Sequence, residues 1–227
     1  MDKKLVLYDI DGILIKKSRY SVTADRLIEK HFGLDSSKSK IPHEGKTYRR
    51  IFVETLKALG VENPEAHEKF EIALKDASPL AELVSQGLKF EKVDNVESLV
   101  KDLISQGHVI GLLTGNTYEL ARIKLGSAGL WKYFHFGAFG AETLIRGELV
   151  PIAIREAEKE TGIKFSKRDV FVIGDTPLDV ECAKYGGVKS IAVATGSESF
   201  GNLKKEKPDY VFKDFSDINL ILEAINR

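Results

Sequence analysis

The chain has 227 residues, 43% of them hydrophobic and 30% charged, the composition of a folded soluble protein with room for one large domain or one domain carrying a smaller inserted module. Lysine plus arginine and aspartate plus glutamate balance at 34 each, so no net field draws nucleic acid or an anionic membrane, and any anion must be caught locally. The single Cys182 excludes an internal disulfide framework, and the amino-terminal apolar run is too short for a leader and is interrupted by Asp9, so a reducing, cytoplasmic location is expected.

Leu5 to Tyr8 reads as a first strand. The interval from Lys16 to Lys92 then offers helical segments and no convincing strand. One helix is expected over Val22 to His31, a second over Tyr48 to Leu59, and a third after Pro64, which fits a first helical turn. Farther on, Val96, Leu99, Val100, Leu103 and Ile104 recur at three and four residues, and Gly107 closes that helix as a capping glycine. Strand-like runs follow at Val109 to Leu113, Val170 to Ile173 and Ile191 to Ala194, with a further strand at Tyr210 to Phe212. Short runs rich in Val and Ile that alternate with helices predict an α/β fold with a doubly wound, Rossmann-like parallel sheet. The expected division is a core of residues 1–15 and 93–227 and a smaller inserted α-helical cap domain, residues 16–92, with hinges near Ile15 and Lys92.

Polar residues gather where three of the strand-like runs end. The first closes on Asp9-Ile10-Asp11-Gly12, and residues two apart in extended chain face the same side, so both carboxylates can enter one site. Two such charges close together need a cation or a shared proton. Taken alone, Asp-x-Asp-Gly also suits a surface turn; a calcium loop would need further acids where Ile13, Leu14, Ile15 and Lys16 stand. The second run closes on Thr114-Gly115-Asn116, a hydroxyl and backbone amides suited either to phosphate oxygens or simply to capping the next helix. The run at Val170 leads into Gly174-Asp175-Thr176-Pro177-Leu178-Asp179, where two carboxylates flank a strand end and a helix start opened by Pro177. Ligands of open parallel sheets sit outside the carboxyl ends of the strands, and all three motifs fall at such ends.

With these motifs the chain resembles the haloacid dehalogenase superfamily, and within it the phosphoglycolate-phosphatase-like hydrolases whose helical cap follows the first motif. The resemblance rests on DIDGIL at Asp9, LLTGN at Thr114, RGELVPIAIREA around Arg146 and VIGDTPLDVECAKYGG at Asp175, and spans nearly the whole chain. It implies a magnesium-dependent phosphatase acting on a small phosphorylated metabolite, with Asp9 as nucleophile and Asp11 as general acid and base. Thr114, Gly115, Asn116 and Arg146 would hold the phosphoryl group. Asp9, Asp175 and the backbone carbonyl of Asp11 would ligate Mg2+, supported by Asp179. Magnesium's preference for a few carboxylates, waters and substrate phosphate agrees with that set. Two positions depart from the family pattern: Ile13 stands where a threonine is usual, and the lysine expected before the helix at Pro151 is missing, its cation supplied by Arg146 or by Lys159.

In the helical interval, Gly45, Lys46 and Thr47 resemble the substrate-facing loop of such caps. A nucleotide-binding P-loop would need glycine where Lys40 stands and a preceding strand. Arg49 and Arg50 follow about a hundred degrees apart on a helix, so at most one of them faces a ligand. The five histidines, His31, His43, His67, His108 and His135, have no metal-binding spacing, and Trp131, Tyr133, Phe134 and Phe136 read as core packing near a strand. Competing functions are a phosphomutase using the same aspartates, a 2-haloacid dehalogenase, and a phosphate-binding regulatory protein without activity. The expected assembly is a monomer or a homodimer, with neither nucleic acid nor membrane as partner.

Overall fold

In a computed structural model of the chain, which describes residues 3–18, 24–39 and 41–227, six strands form one parallel sheet. They are β1 (Leu5–Tyr8), β2 (Val109–Thr114), β3 (Gly137–Phe139), β4 (Val170–Gly174), β5 (Lys189–Val193) and β6 (Tyr210–Phe212), in the order β3-β2-β1-β4-β5-β6. All neighbours run parallel, Leu5 pairing with Val109 on one side and Val170 on the other. This is the doubly wound arrangement expected from the alternation of strands and helices. β3 was not foreseen: Gly137-Ala138-Phe139 opens on two poor strand formers, whereas the equally short Tyr210-Val211-Phe212 consists of residues favoured in strands.

Alternation within the strands explains why helices cover both faces. Val6, Tyr8, Leu112, Phe171 and Ile173 belong to one core, shared with Val96, Leu99 and Leu103 of α5 (Val96–Ser105), Leu120 and Leu125 of α6 (Tyr118–Ser127), and Ile221 and Ile225 of α10 (Ile218–Asn226). Leu5, Leu7, Val170 and Val172 face the other core with Leu149 and Ala153 of α7 (Leu149–Thr161) and Cys182 and Ala183 of α8 (Pro177–Gly186). Phe134 is buried and Trp131 and Tyr133 pack against the first core, Phe136 against the second. A last short helix, α9 (Phe200–Lys205), lies against β5 and β6. Gly107 takes φ +82° after α5, as a helix-closing glycine does.

Between β1 and α5 the described chain is helical: α1 (Ala24–Phe32), α2 (Tyr48–Ala58), α3 (Phe70–Lys75) and α4 (Ser78–Ser85). The expected start of the first helix at Val22 lies outside the described residues. The helix expected after Pro64 is divided, because His67 is extended at φ −74° and ψ 129°, leaving a 3-10 turn at Pro64–Ala66 before α3 begins. The chain leaves and returns to the sheet side by side: Ile15 bridges Lys92, and the Lys16 amide donates to the Glu91 carbonyl at 2.8 Å. Among the described residues no helix is long and apolar enough to cross a membrane.

Candidate active site

The polar motifs meet because β2, β1 and β4 are adjacent and parallel, so their carboxyl ends share one edge of the sheet. Beyond β1 the chain turns sharply, with the Ile13, Leu14 and Ile15 amides all donating to the Ile10 carbonyl. Gly12 takes φ +90°, and a Cβ there would run into the Asp175 carboxylate, so the turn requires glycine. Ile13 is fully buried in the core, which accounts for an apolar residue in place of the threonine.

The turn sends the two carboxylates of the first motif to different cations. The buried Asp9 has Oδ2 3.0 Å from Arg146 Nη2. Asp11 is gripped instead by Lys124, whose Nζ lies 2.9 and 2.7 Å from its two oxygens, and by Asn116 Nδ2 at 2.8 Å. Burial raises the Asp9 carboxyl above the ordinary carboxylate range even with Arg146 beside it. For Asp11 burial acts in the same direction, but Lys124 and Asn116 outweigh it and the pKa falls.

Thr114 ends β2 fully buried, its hydroxyl accepting from the Asn116 amide at 3.2 Å and Asn116 Nδ2 at 3.0 Å. The cap of α6 is Thr117, which accepts from the Leu120 amide, so Gly115 and Asn116 are left facing the cavity rather than closing the helix. Asp175 follows β4. Asp179 opens α8 in a capping box, its Oδ2 taking the Thr176 amide at 3.0 Å and hydroxyl at 2.7 Å, while Oδ1 takes Arg146 Nη2 at 2.5 Å. The dipole role and the site role of Asp179 therefore coexist, one per oxygen.

Arg146 lies in a 3-10 turn ahead of α7, buried, with Nη1 donating to the Gly45 carbonyl at 3.1 Å. Lys159 points to solvent, its side chain 80% exposed beside Glu156, so of the two cations only Arg146 is at the site. The Cys182 thiol, also buried, donates to the Arg146 carbonyl at 3.2 Å.

Asp175 is the carboxylate of the site whose bonding is incomplete among the described residues. It is fully buried, yet neither carboxylate oxygen has a hydrogen-bond partner. Burial first, then repulsion from Asp179 and Asp9, lifts its pKa far above the carboxylate range. Asp9, Asp175 and Asp179 each offer an oxygen within 4.8 Å of the others. A buried carboxylate without donors, amid two more carboxylates, suits a divalent cation with oxygen ligands.

Asp9, Asp11, Gly115, Asn116, Arg146 and Asp175 line one cavity of about 280 Å³, together with Gly45 and Lys46 from the helical segment. Ala24, Tyr48, Ile51, Leu80 and Leu120 add apolar lining to it. Thr47 is enclosed, its hydroxyl capping α2 by accepting from the Arg50 amide. Lys46 Nζ meets Glu54 at 2.5 Å, and neither Arg49 nor Arg50 lines the cavity: Arg49 pairs with Glu65 and Glu71, Arg50 with Glu54. The loop is docked on the sheet, the Tyr48 amide donating to Gly115 O and the Arg49 amide to Gly140 O, both at 2.8 Å.

Residues 6–193 match the haloacid dehalogenase-like hydrolase family. The chain belongs to that family. Among relatives of this haloacid dehalogenase-like hydrolase, the pyrophosphatase PpaX of Bacillus mycoides is 25% identical over 231 residues, 97% of each chain. The phosphoglycolate phosphatase of Pseudomonas fluorescens Pf-5 is also 25% identical, over 92% of this chain and 75% of its own. In fold the hydrolase is similar to a β-phosphoglucomutase of Clostridium difficile, with a TM-score of 0.71, 18% identity, and 99% and 98% of the two chains covered.

Two cations of this hydrolase escaped the sequence reading. Lys124 had a signal: it stands one turn beyond Leu120 and beside Leu125, a lysine on the apolar side of α6. Lys17, which bonds Glu44 and Ser197 and comes 3.9 Å from Asp175, had none, because its partners come from distant parts of the chain.

Proposed function

We propose that the chain is a magnesium-dependent phosphatase that hydrolyses a small phosphomonoester through an aspartyl phosphate on Asp9. The observation that carries the reading is the pairing of two differently furnished carboxylate groups in one cavity. Asp175 stands without donors amid Asp9 and Asp179, while Asp11 is held apart by Lys124 and Asn116. Hydrolase and phosphatase names among the relatives support it.

In this reading Asp9 and Asp175 hold the cation, with the carbonyl of Asp11, and Asp179 supports them through Arg146. Bound there, magnesium neutralises charge on the carboxylates and the phosphoryl oxygens. An Asp9 oxygen forms a bond to phosphorus as the bond to the leaving oxygen breaks, and Asp11, which first takes up a proton from solvent because Lys124 and Asn116 hold it as the carboxylate, passes that proton to the leaving oxygen. Asp11 then takes a proton from water, whose oxygen attacks phosphorus and releases Asp9. Arg146 fixes Asp9 and faces the phosphoryl group, while Thr114, Gly115 and Asn116 form the loop that cradles its oxygens. Residues 16–92 act as the cap: Gly45 and Lys46 face the substrate, Thr47 fixes their loop, and the apolar side chains of Ala24, Tyr48, Ile51 and Leu80, joined by Leu120 of the core, receive the carbon part of the leaving group.

Phosphate release from a panel of phosphorylated metabolites, with magnesium and with excess chelator, tests the proposal. Hydrolysis that stops with chelator and returns with magnesium is expected. Equal activity in chelator, or no phosphate release from any phosphomonoester, overturns it.

A further inference from the structure

We infer that Lys124 is the positioning residue that holds Asp11 for proton transfer, an assignment that rests on the acid and base role proposed for Asp11. Lys124 lies in α6, two turns past the Thr114 loop, with only 11% of its side chain exposed. Its Nζ reaches both Asp11 oxygens, at 2.9 and 2.7 Å, and Asn116 Oδ1 at 2.8 Å. Asn116 closes the ring, its Nδ2 donating to Asp11 Oδ2 at 2.8 Å and to Thr114 Oγ1 at 3.0 Å. Thus Asp11, from the loop after β1, is fixed by groups from β2 and α6, which ties the proton-transferring carboxylate to the loop that receives the phosphoryl group.

An ammonium has three N–H donors. Here each has an acceptor: the two Asp11 oxygens and the Asn116 carbonyl oxygen. No donor is left over for a substrate, so Lys124 acts through Asp11 rather than on the reacting atoms. Lys17 is the other cation that acts on Asp11, and it is anchored elsewhere, to Ser197 at 2.6 Å, to Glu44 at 3.1 Å and near Asp175 at 3.9 Å. Without Lys124, Asp11 keeps a single donor from Asn116 and is drawn toward Lys17, out of the position in which α6 holds it. A displacement of about 1 Å in such a group costs roughly a hundredfold in rate.

The test measures hydrolysis by wild type, Lys124→Met and Lys124→Arg on aryl phosphates of rising leaving-group pKa and on an alkyl phosphate. For Lys124→Met the expected result is a fall in kcat of about a hundredfold on the alkyl phosphate, with KM nearly unchanged, while formation of the aspartyl phosphate from nitrophenyl phosphate falls far less. Lys124→Arg should recover part of the loss, because a guanidinium also grips a carboxylate through two donors. In an Asp11→Asn background, Lys124→Met should add little, since the group it positions is already disabled. An equal loss on every leaving group, or a full further loss in the Asp11→Asn background, overturns the assignment. Lys124→Gln replaces Lys124→Met if the latter does not fold. Should the wild type hydrolyse no phosphomonoester, the proposed function fails on its own. A crystal structure of Lys124→Met then still decides whether Lys124 holds Asp11, because an Asp11 carboxylate that stays in place refutes it.

Discussion

Replacing Asp175 by asparagine should make the protein more stable when divalent cations are removed, although it should disable the site. Both oxygens of Asp175 are buried without partners, and the nearest cation, Lys17 Nζ at 3.9 Å, is already bonded to Glu44 and Ser197. Burial, with Asp179 and Asp9, raises its pKa in the folded chain above the unfolded value. The unfolded chain therefore sheds this proton at lower pH than the folded one, so stability is full below the unfolded pKa and declines as pH rises toward the folded pKa. Leaving a buried group of this kind unsatisfied costs about 1–3 kcal/mol, and more if it is charged. An amide of the same shape needs no protonation to be neutral, so Asp175→Asn should gain about 1.4 kcal/mol in chelator for each pH unit above the unfolded pKa until the folded pKa is reached, roughly 3–6 °C in Tm per unit for a chain of this size. Magnesium should shift the comparison back toward the wild type: a cation at a hundred times its Kd stabilises the wild type by about 2.7 kcal/mol and has little to bind in the variant. Urea and thermal melts in chelator and in magnesium read both effects. A variant less stable than wild type in chelator, combined with a wild type indifferent to magnesium, would refute the reasoning.

Three further outcomes follow from the same site and core. Asp9→Asn should abolish turnover while the thermal midpoint stays within a few degrees of wild type, since a neutral amide forms no acyl phosphate and adds no bulk; steady-state phosphate release at the wild-type rate would contradict it. Arg146→Met should destabilise the fold by about 3–5 kcal/mol, measured by urea melts, because it leaves Asp9 and Asp179 buried without their shared cation. His108 accepts the Lys4 amide at Nδ1, and Nε2 faces Asn226 Oδ1, so burial holds the ring neutral and lowers its pKa against the smaller opposing effect of Asn226. The unfolded chain takes up that proton first, so stability should fall as pH drops from about 6.5 toward the folded pKa, by at most about 1.4 kcal/mol per pH unit, and His108→Gln should flatten that part of the profile in melts between pH 5 and 8.

The strands of the sheet were legible where they are long enough to be apolar on both faces, as β1, β2 and β4 are. Their ends then located the three polar motifs without any knowledge of side-chain positions, because parallel neighbours must present their carboxyl ends together. What stayed hidden depends on distance in sequence or on brevity. β3 is brief and begins Gly137-Ala138, which lack the β-branched or aromatic signal that revealed Tyr210–Phe212, and α4 is eight residues opened by Ser78-Pro79 within a stretch already read as helical. The split after Pro64 turns on the backbone of His67, which residue type alone does not set. At the site, the carboxylates could be read from local spacing, but their cations could not. The sequence favours Arg146 with Lys159 still open, and only burial separates them, while Lys124 meets Asp11 only through the pairing of β1 with β2.

The pairing of Leu5 with both Val109 and Val170 has a consequence for the order in which the molecule is made. The central strand of the sheet is the first to emerge from the ribosome, and neither of its neighbours exists yet. At 5–20 residues per second, on the order of ten seconds pass before β4 emerges to complete its flanks. During that interval a fully apolar tetrapeptide, Leu-Val-Leu-Tyr, has both edges unpaired, while the helices that follow it can form from local contacts alone. Newly made chains therefore carry an apolar strand with both edges unpaired for much of their synthesis, and the nascent protein, more than the finished one, is where a holding chaperone would find a binding site.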